Sequence, residues 1–223
     1  MMDWAALSIS LRLAVLTCLI LLPLGIWAGR ALAYARFKGR SFFEALVALP
    51  LVLPPTVLGF YLLVAFSPDA PFGAFWANVF GSGLNFTFTG ILLASLVANL
   101  PFAIQPIQRA FESIPANLRE AAWCSGLSSW QTLWRIELPL VWPGVLSAFA
   151  LTFAHTLGEF GVVLMVGGSI DAETRTLAIA IYDRMQAFDE AAAALMSAVL
   201  LSVSFITIGV VYGLAGRRRR ING

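Results

Sequence analysis

Charge is scarce in this chain. Only 12% of its residues are Asp, Glu, Lys or Arg, whereas 60% are hydrophobic, and the mean hydropathy is +0.85. A water-soluble domain of 223 residues has no use for so much apolar side chain. The composition therefore argues against a soluble fold. Cysteine is equally sparse: Cys18 and Cys124 are far apart and form neither a disulfide framework nor a zinc-ligand pattern. Cys18 lies in an apolar block, where a thiol behaves as a small hydrophobe. With one histidine there is no multi-histidine metal set. No nucleophile stands beside an activating base, so the chain is not expected to be an enzyme. The phosphate-binding pattern G-x-x-x-x-G-K-[ST] is absent, so any ATP chemistry is expected on another polypeptide. The N-terminus also lacks the basic region and cleavage site of a secretory leader, and the first apolar block reads as a retained span.

Long uncharged intervals are plentiful. A helix crosses a hydrocarbon core of about 30 Å with roughly 20 residues, and five intervals meet that length. They lie between Arg12 and Arg30, between Glu44 and Asp69, within Ala70 to Gln108, from about Leu138 to Gly158 and somewhat beyond, and from Ala191 to Gly216. Pro71 to Asn85 carries Pro, Gly and Asn turn signals, so the third span is expected to start near Phe86. A sixth span fits poorly, but a short re-entrant or interfacial helix over Phe72 to Phe80 suits the aromatic residues there. The prediction is one all-α, polytopic membrane domain covering residues 1–223, with about five spans and six possible.

Basic residues then orient it. Arg30, Arg36, Lys38 and Arg40 follow the first span, Arg109, Arg119 and Arg135 lie between the third and fourth, and Arg217 to Arg220 form the tail. Eleven of the fourteen basic residues thus fall on one side, leaving Arg12, Arg175 and Arg184. The positive side faces the cytoplasm, which places the N-terminus outside and the C-terminus inside. The four terminal arginines read most simply as an anchor against an anionic leaflet.

The segment between the third and fourth spans, about 115–139, reads as a short amphipathic helix, a turn, and a second short helix that feeds the next span. Asn117 is expected to cap the first helix, with Glu120 completing a capping box. Gly126 suits a left-handed helix end, and Ala121 and Ala122 leave a smooth surface for a partner. Glu120-Ala121-Ala122, three residues, Gly126, nine residues, Ile136, one residue and Leu138-Pro139 resembles the EAA motif of ABC-importer permeases without a departure. The resemblance implies that this segment docks as a coupling helix on a cytoplasmic ATP-binding subunit. A push there is expected to rock the third and fourth spans together.

Three polar or broken regions inside the membrane remain. Pro50, Pro54 and Pro55 interrupt the second span, and backbone amides freed at the break, with the Thr56 hydroxyl, are candidates to receive an oxyanion; a kink that serves packing fits equally well. At the end of the fourth span, His155 and Glu159 share a helix face at i and i+4 beside Thr156, as a gate or as an interior hydrogen bond. A metal site is not expected there. The outer loop with Ser169, Asp171, Glu173, Thr174, Arg175 and Thr176 is a docking surface or an ordinary solvated loop.

The strings Leu49 to Leu62, His155 to Ile170 and Thr174 to Asp183 resemble the molybdate ABC-transporter permease family, and the likeness runs from about Ala6 to Leu214. It implies a type I importer transmembrane domain in the bacterial inner membrane that passes molybdate, with tungstate, into the cytoplasm. It also implies a homodimer of this subunit, two ATP-binding subunits that use ATP and Mg, an external molybdate-binding protein, no cofactor in this chain and no nucleic acid. Sulfate and thiosulfate permeases, or those for another oxyanion, are the alternative. Apart from residues near span ends the membrane interval holds no Arg or Lys, which fits a weakly binding, mainly apolar and hydroxyl-lined path.

Overall fold

The computed structural model describes residues 1–35 and 38–221, without the side chains of 212 and 214–221. Arg36 and the side chains of Arg217 to Arg220, which the orientation argument used, lie outside that description. All regular structure among the described residues is helical.

Helix α1 (Trp4–Tyr34) starts where the Asp3 carboxylate accepts from the Ala6 N–H at 2.9 Å, replacing a carbonyl that the first turn lacks. The second span is not one helix. Helices α2 (Arg40–Val52) and α3 (Pro55–Ala65) meet at Leu53-Pro54 with a bend of 110°, because neither proline ring can continue the preceding turn. Pro50 is accommodated inside α2, and α2 buries none of its residues. Helix α4 (Pro71–Phe80) forms at the expected aromatic segment and, at 10 residues, is too short to span.

Helix α5 (Phe88–Glu112) begins close to the expected residue, capped by Thr87 after Phe86 in a left-handed conformation. Helices α6 (Ala116–Cys124) and α7 (Ser129–Thr132) follow, then a π-helical turn over Leu133–Glu137 that runs directly into α8 (Leu138–Gly158). Helices α9 (Gly161–Gly167) and α10 (Leu177–Gln186) fill the connection to α11 (Glu190–Ile221). Among the described residues four helical segments are long and apolar enough to cross a membrane, and the bent α2–α3 pair makes up to five.

Small residues bring the central helices together. A Cβ on Gly25 would lie 2.9 Å from the Ala103 carbonyl oxygen, and one on Gly29 would lie 3.0 Å from the Gln108 nitrogen. This Gly-x-x-x-Gly stripe, unread in the sequence, lets α1 and α5 pack backbone to backbone, as small residues do where lipid supplies no hydrophobic drive. Both positions advance together, so α1 and α5 run in the same direction. Helix α8 runs against them, since Gly144 packs on Ala110 while His155 reaches back to Asn99.

The ends of the bundle differ in charge. Where α1 and α5 finish and α8 starts, Arg30, Arg40, Arg109 and Arg119 are held by Glu44, Glu112 and Glu137. The three basic residues left over from the orientation count are each neutralised or stacked. Arg12 lies over the Phe88 ring at 4.4 Å, Arg175 pairs with Asp3 at 2.8 Å and with Asp171, and Arg184 pairs with Asp189 at 3.5 Å.

Candidate coupling and translocation sites

The coupling segment folds as expected in outline and differs in its caps. Residue Pro115, not Asn117, is the N-cap of α6, and its side chain makes no capping hydrogen bond. The expected box at Asn117 and Glu120 is therefore absent: Pro115 presets the extended backbone that enters the helix, which draws Asn117 inside the first turn. The capping box stands one helix later. Ser128 Oγ accepts from the Gln131 N–H at 3.3 Å and Gln131 Oε1 accepts from the Ser128 N–H at 2.9 Å.

Gly126 has φ +78°. Its N–H donates to the Trp123 carbonyl at 2.9 Å and the Leu127 N–H donates to the Ala122 carbonyl at 3.1 Å, the two bonds that close a Schellman helix end. Glu120, Ala121 and Gly126 are exposed. Ala122 is 4% exposed, so only one of the two alanines offers itself to a partner; helical rotation turns the next residue inward. Ile136 is half-buried, Pro139 is exposed in the first turn of α8, and Leu138 packs against the cluster of Ile107, Phe111, Ile114, Val141 and Val145. Trp123, Trp130 and Trp134 stand outward beside them.

Glu137, the variable position between Ile136 and Leu138, is a further residue of this segment that the motif does not mark. Its side chain is 0% exposed and accepts from Arg30 and Arg119. A carboxylate flanked by leucine and isoleucine before an apolar run was the available signal, since an acid in that setting has to be paired.

The two candidate path regions, about a hundred residues apart in sequence, meet. Pro55 and Thr56 of α3 and Ala154, His155, Gly158, Glu159, Phe160 and Gly161 line one cavity of about 450 Å3. The contact is close because Gly161 lacks a Cβ, which would lie 2.7 Å from Pro55 Cβ. Pro54 sits exposed at the N-cap of α3, next to the lining. His155 Nε2 is 3.7 Å from Glu159 Oε2, its Nδ1 is 3.1 Å from Asn99 Oδ1, and its ring lies 4.2 Å from that of Phe102. Asn99 Nδ2 donates to the Ser95 carbonyl at 2.8 Å, which leaves Oδ1 toward the imidazole and favours the tautomer with hydrogen on Nδ1. Glu159 Oε1 also accepts from the Val162 N–H at 3.1 Å, satisfying the first turn of α9.

Thr156 does not belong to this cavity. It is 2% exposed and its hydroxyl donates to the Thr152 carbonyl at 2.7 Å, the usual resting place of a threonine inside a helix. The outer loop is also less solvated than expected. Thr174 and Thr176 are buried, Thr174 Oγ1 donates to the Gly167 carbonyl at 2.6 Å, and Ser169 Oγ donates to Asp183 at 2.8 Å.

Comparison with known proteins agrees with this architecture. Residues 22–221 match the family model described as binding-protein-dependent transport system inner membrane component. The molybdenum transport system permease protein ModB of Azotobacter vinelandii is 43% identical over 210 residues, covering 94% of this chain and 93% of that one. Its Haemophilus influenzae counterpart is 37% identical, covering 91% and 90%. The sulfate transport system permease protein CysT of Escherichia coli is 31% identical and covers 98% of this chain and 79% of its own. A bacterial alginate ABC transporter, solved with its alginate-pentasaccharide-bound periplasmic protein, has a chain that superposes with a TM-score of 0.77 at 19% identity, covering 96% of this chain and 78% of that one. That match shows that this chain shares the fold of that transporter's chain. The chain belongs to the family of binding-protein-dependent transport system inner membrane components.

Proposed function

We propose that this chain is the membrane permease of an ATP-driven importer that carries molybdate, and tungstate with it, into the cytoplasm. The observation that carries the substrate is the end-to-end likeness to molybdenum permeases of nearly the same length. Sulfate permeases are similar too, but this chain spans only 79% of the Escherichia coli one, and they supply the second reading. The chain itself is non-catalytic: cytoplasmic subunits bind ATP and Mg, a second copy of this chain completes the path, and an external binding protein delivers the oxyanion.

Geometry supports each part. The exposed Glu120, Ala121 and Gly126 stand at the arginine-rich end of the bundle, the end that the positive-inside rule assigns to the cytoplasm. Helix α2 has no fully buried residue, and Phe42, Leu46, Leu49 and Val52 lie exposed along it, which suits a surface against the second copy. In the cavity, the N-termini of α3 and α9 bring positive helix ends toward Thr56, while Glu159 opposes an anion. The balance fits a gate or a weak transit site, with selectivity left to the binding protein.

Cells lacking their own high-affinity molybdate uptake, supplied with this permease and its partner subunits, should accumulate labelled molybdate, and excess tungstate should compete where excess sulfate does not. Accumulation of sulfate in preference to molybdate would establish the second reading instead.

A further inference from the structure

Glu137 links three elements. Its Oε2 accepts from Arg30 Nε at 2.5 Å, and its Oε1 accepts from Arg30 Nη2 at 3.3 Å and from Arg119 Nε at 3.1 Å. Arg30 belongs to α1, Arg119 to α6, and Glu137 to the π-helical turn that enters α8. Each arginine is braced again. Arg30 Nη2 also reaches the Ser129 carbonyl at 3.5 Å. The Arg119 guanidinium lies 3.4 Å from the centre of the Tyr34 ring, and the Tyr34 hydroxyl donates to the Phe111 carbonyl of α5 at 3.3 Å.

A fully buried carboxylate between two guanidiniums is unlike a surface ion pair. An exposed pair contributes about 0–1 kcal/mol, whereas a buried charge resists losing any partner because water cannot replace it. The elements joined here are therefore held in one relative position. The π-helical turn is a second sign of function, since such turns are rare and gather at functional sites.

The far end of the same helix carries the cavity. Glu137 and His155 are eighteen residues apart, about five α-helical turns or roughly 27 Å, and that spacing puts both on the same side of α8. A displacement of α6 that α8 shares is delivered to the His155–Glu159 pair. A displacement that α6 makes alone is not.

We propose that Glu137 is the positioning residue that fastens the coupling helix to α1 and α8, so that motion imposed on α6 by the ATP-binding subunit reaches the cavity at His155. The proposal rests on the permease reading above. Loss of the carboxylate uncouples the machine: ATP is still hydrolysed, but α6 yields against α8.

The test uses the whole transporter, with its ATP-binding subunits and binding protein, in phospholipid vesicles. Molybdate uptake and ATP hydrolysis are measured together for the wild type, Glu137→Gln, Glu137→Asp and Arg119→Gln. Uptake per ATP should fall about tenfold in Glu137→Gln and Arg119→Gln, within the usual range of coupling energies. The ATP-binding subunits should still co-purify, and Glu137→Asp should lie nearer the wild type than Glu137→Gln. A wild-type ratio in both neutral variants, or a loss of uptake that only tracks loss of bound ATP-binding subunit, would overturn the proposal. Should Glu137→Gln fail to accumulate, Arg119→Gln decides, because it leaves Glu137 paired with Arg30. Spin labels at Ser125 and Trp142 give a readout that needs no transport. The wild type should show one narrow distance distribution, unchanged by ATP with vanadate, and Glu137→Gln a broadened one; equal distributions would reject the clasp. A wild-type complex that takes up no oxyanion would instead refute the permease reading, leaving the label distances to judge the clasp.

Discussion

A single torsion angle constrains the coupling segment most tightly. Gly126 needs φ +78°, and a Cβ there would meet nothing within 4 Å, so the demand is one of backbone conformation and not of space. Gly126→Val forces a β-branched residue into the left-handed region at about 1–3 kcal/mol and should loosen the turn between α6 and α7. ATP-binding subunit co-purifying with the permease should drop, while Gly126→Asn, which tolerates that region, should retain it. Equal recovery of partner with Val and Asn would remove the turn from the docking surface. This glycine was legible in the sequence because a left-handed helix end is a local matter. The N-cap was not legible from Asn117 alone, since Pro115 two residues earlier competed for the same helix start and prevailed.

Breaks between helices matter more than the helices themselves. The prolines at 50, 54 and 55 announced an interruption, and the structure turns it into a 110° bend that aims the N-terminus of α3 at the first residues of α9. Helices α3 and α9 can approach there only because Gly161 has no side chain to meet Pro55. Gly161→Leu should wedge the two apart, lowering thermal stability in detergent by about 1–3 kcal/mol and abolishing uptake, whereas ATP hydrolysis by the assembled complex persists. Unaltered uptake in this variant would show that the contact between α3 and α9 does not shape the path. Thr156, read as a path residue beside His155, turns away from that cavity: adjacent positions on a helix point about 100° apart, and only the packing partners decide which of them faces the cavity.

Across the whole molecule, the direction of the bundle carries a prediction of its own. A cysteine placed at Ser82, in the turn after α4, should react with a membrane-impermeant maleimide added to intact cells, and one at Ser125 should react only after the membrane is opened. The reverse pattern would invert the proposed topology. Background from the native thiols is removed by first replacing Cys124, which is exposed, whereas Cys18 is buried. By itself, the sequence determined that this is a helical membrane domain, that it carries about five apolar stretches of spanning length, where its arginines cluster along the chain and that residues 120–139 hold the spacing of the EAA motif. Those properties follow from transfer of apolar residues into lipid and from short-range backbone preferences, and both are written along the chain. Only the tertiary structure decided that Pro55 and Thr56 share a cavity with His155 and Glu159, that Gly25 and Gly29 let α1 rest against α5, and that Glu137 joins Arg30 to Arg119. Each of these unites residues from separate helices. Their partners are fixed by how close the backbones can pack and by the need to pair every buried charge, neither of which any one segment encodes.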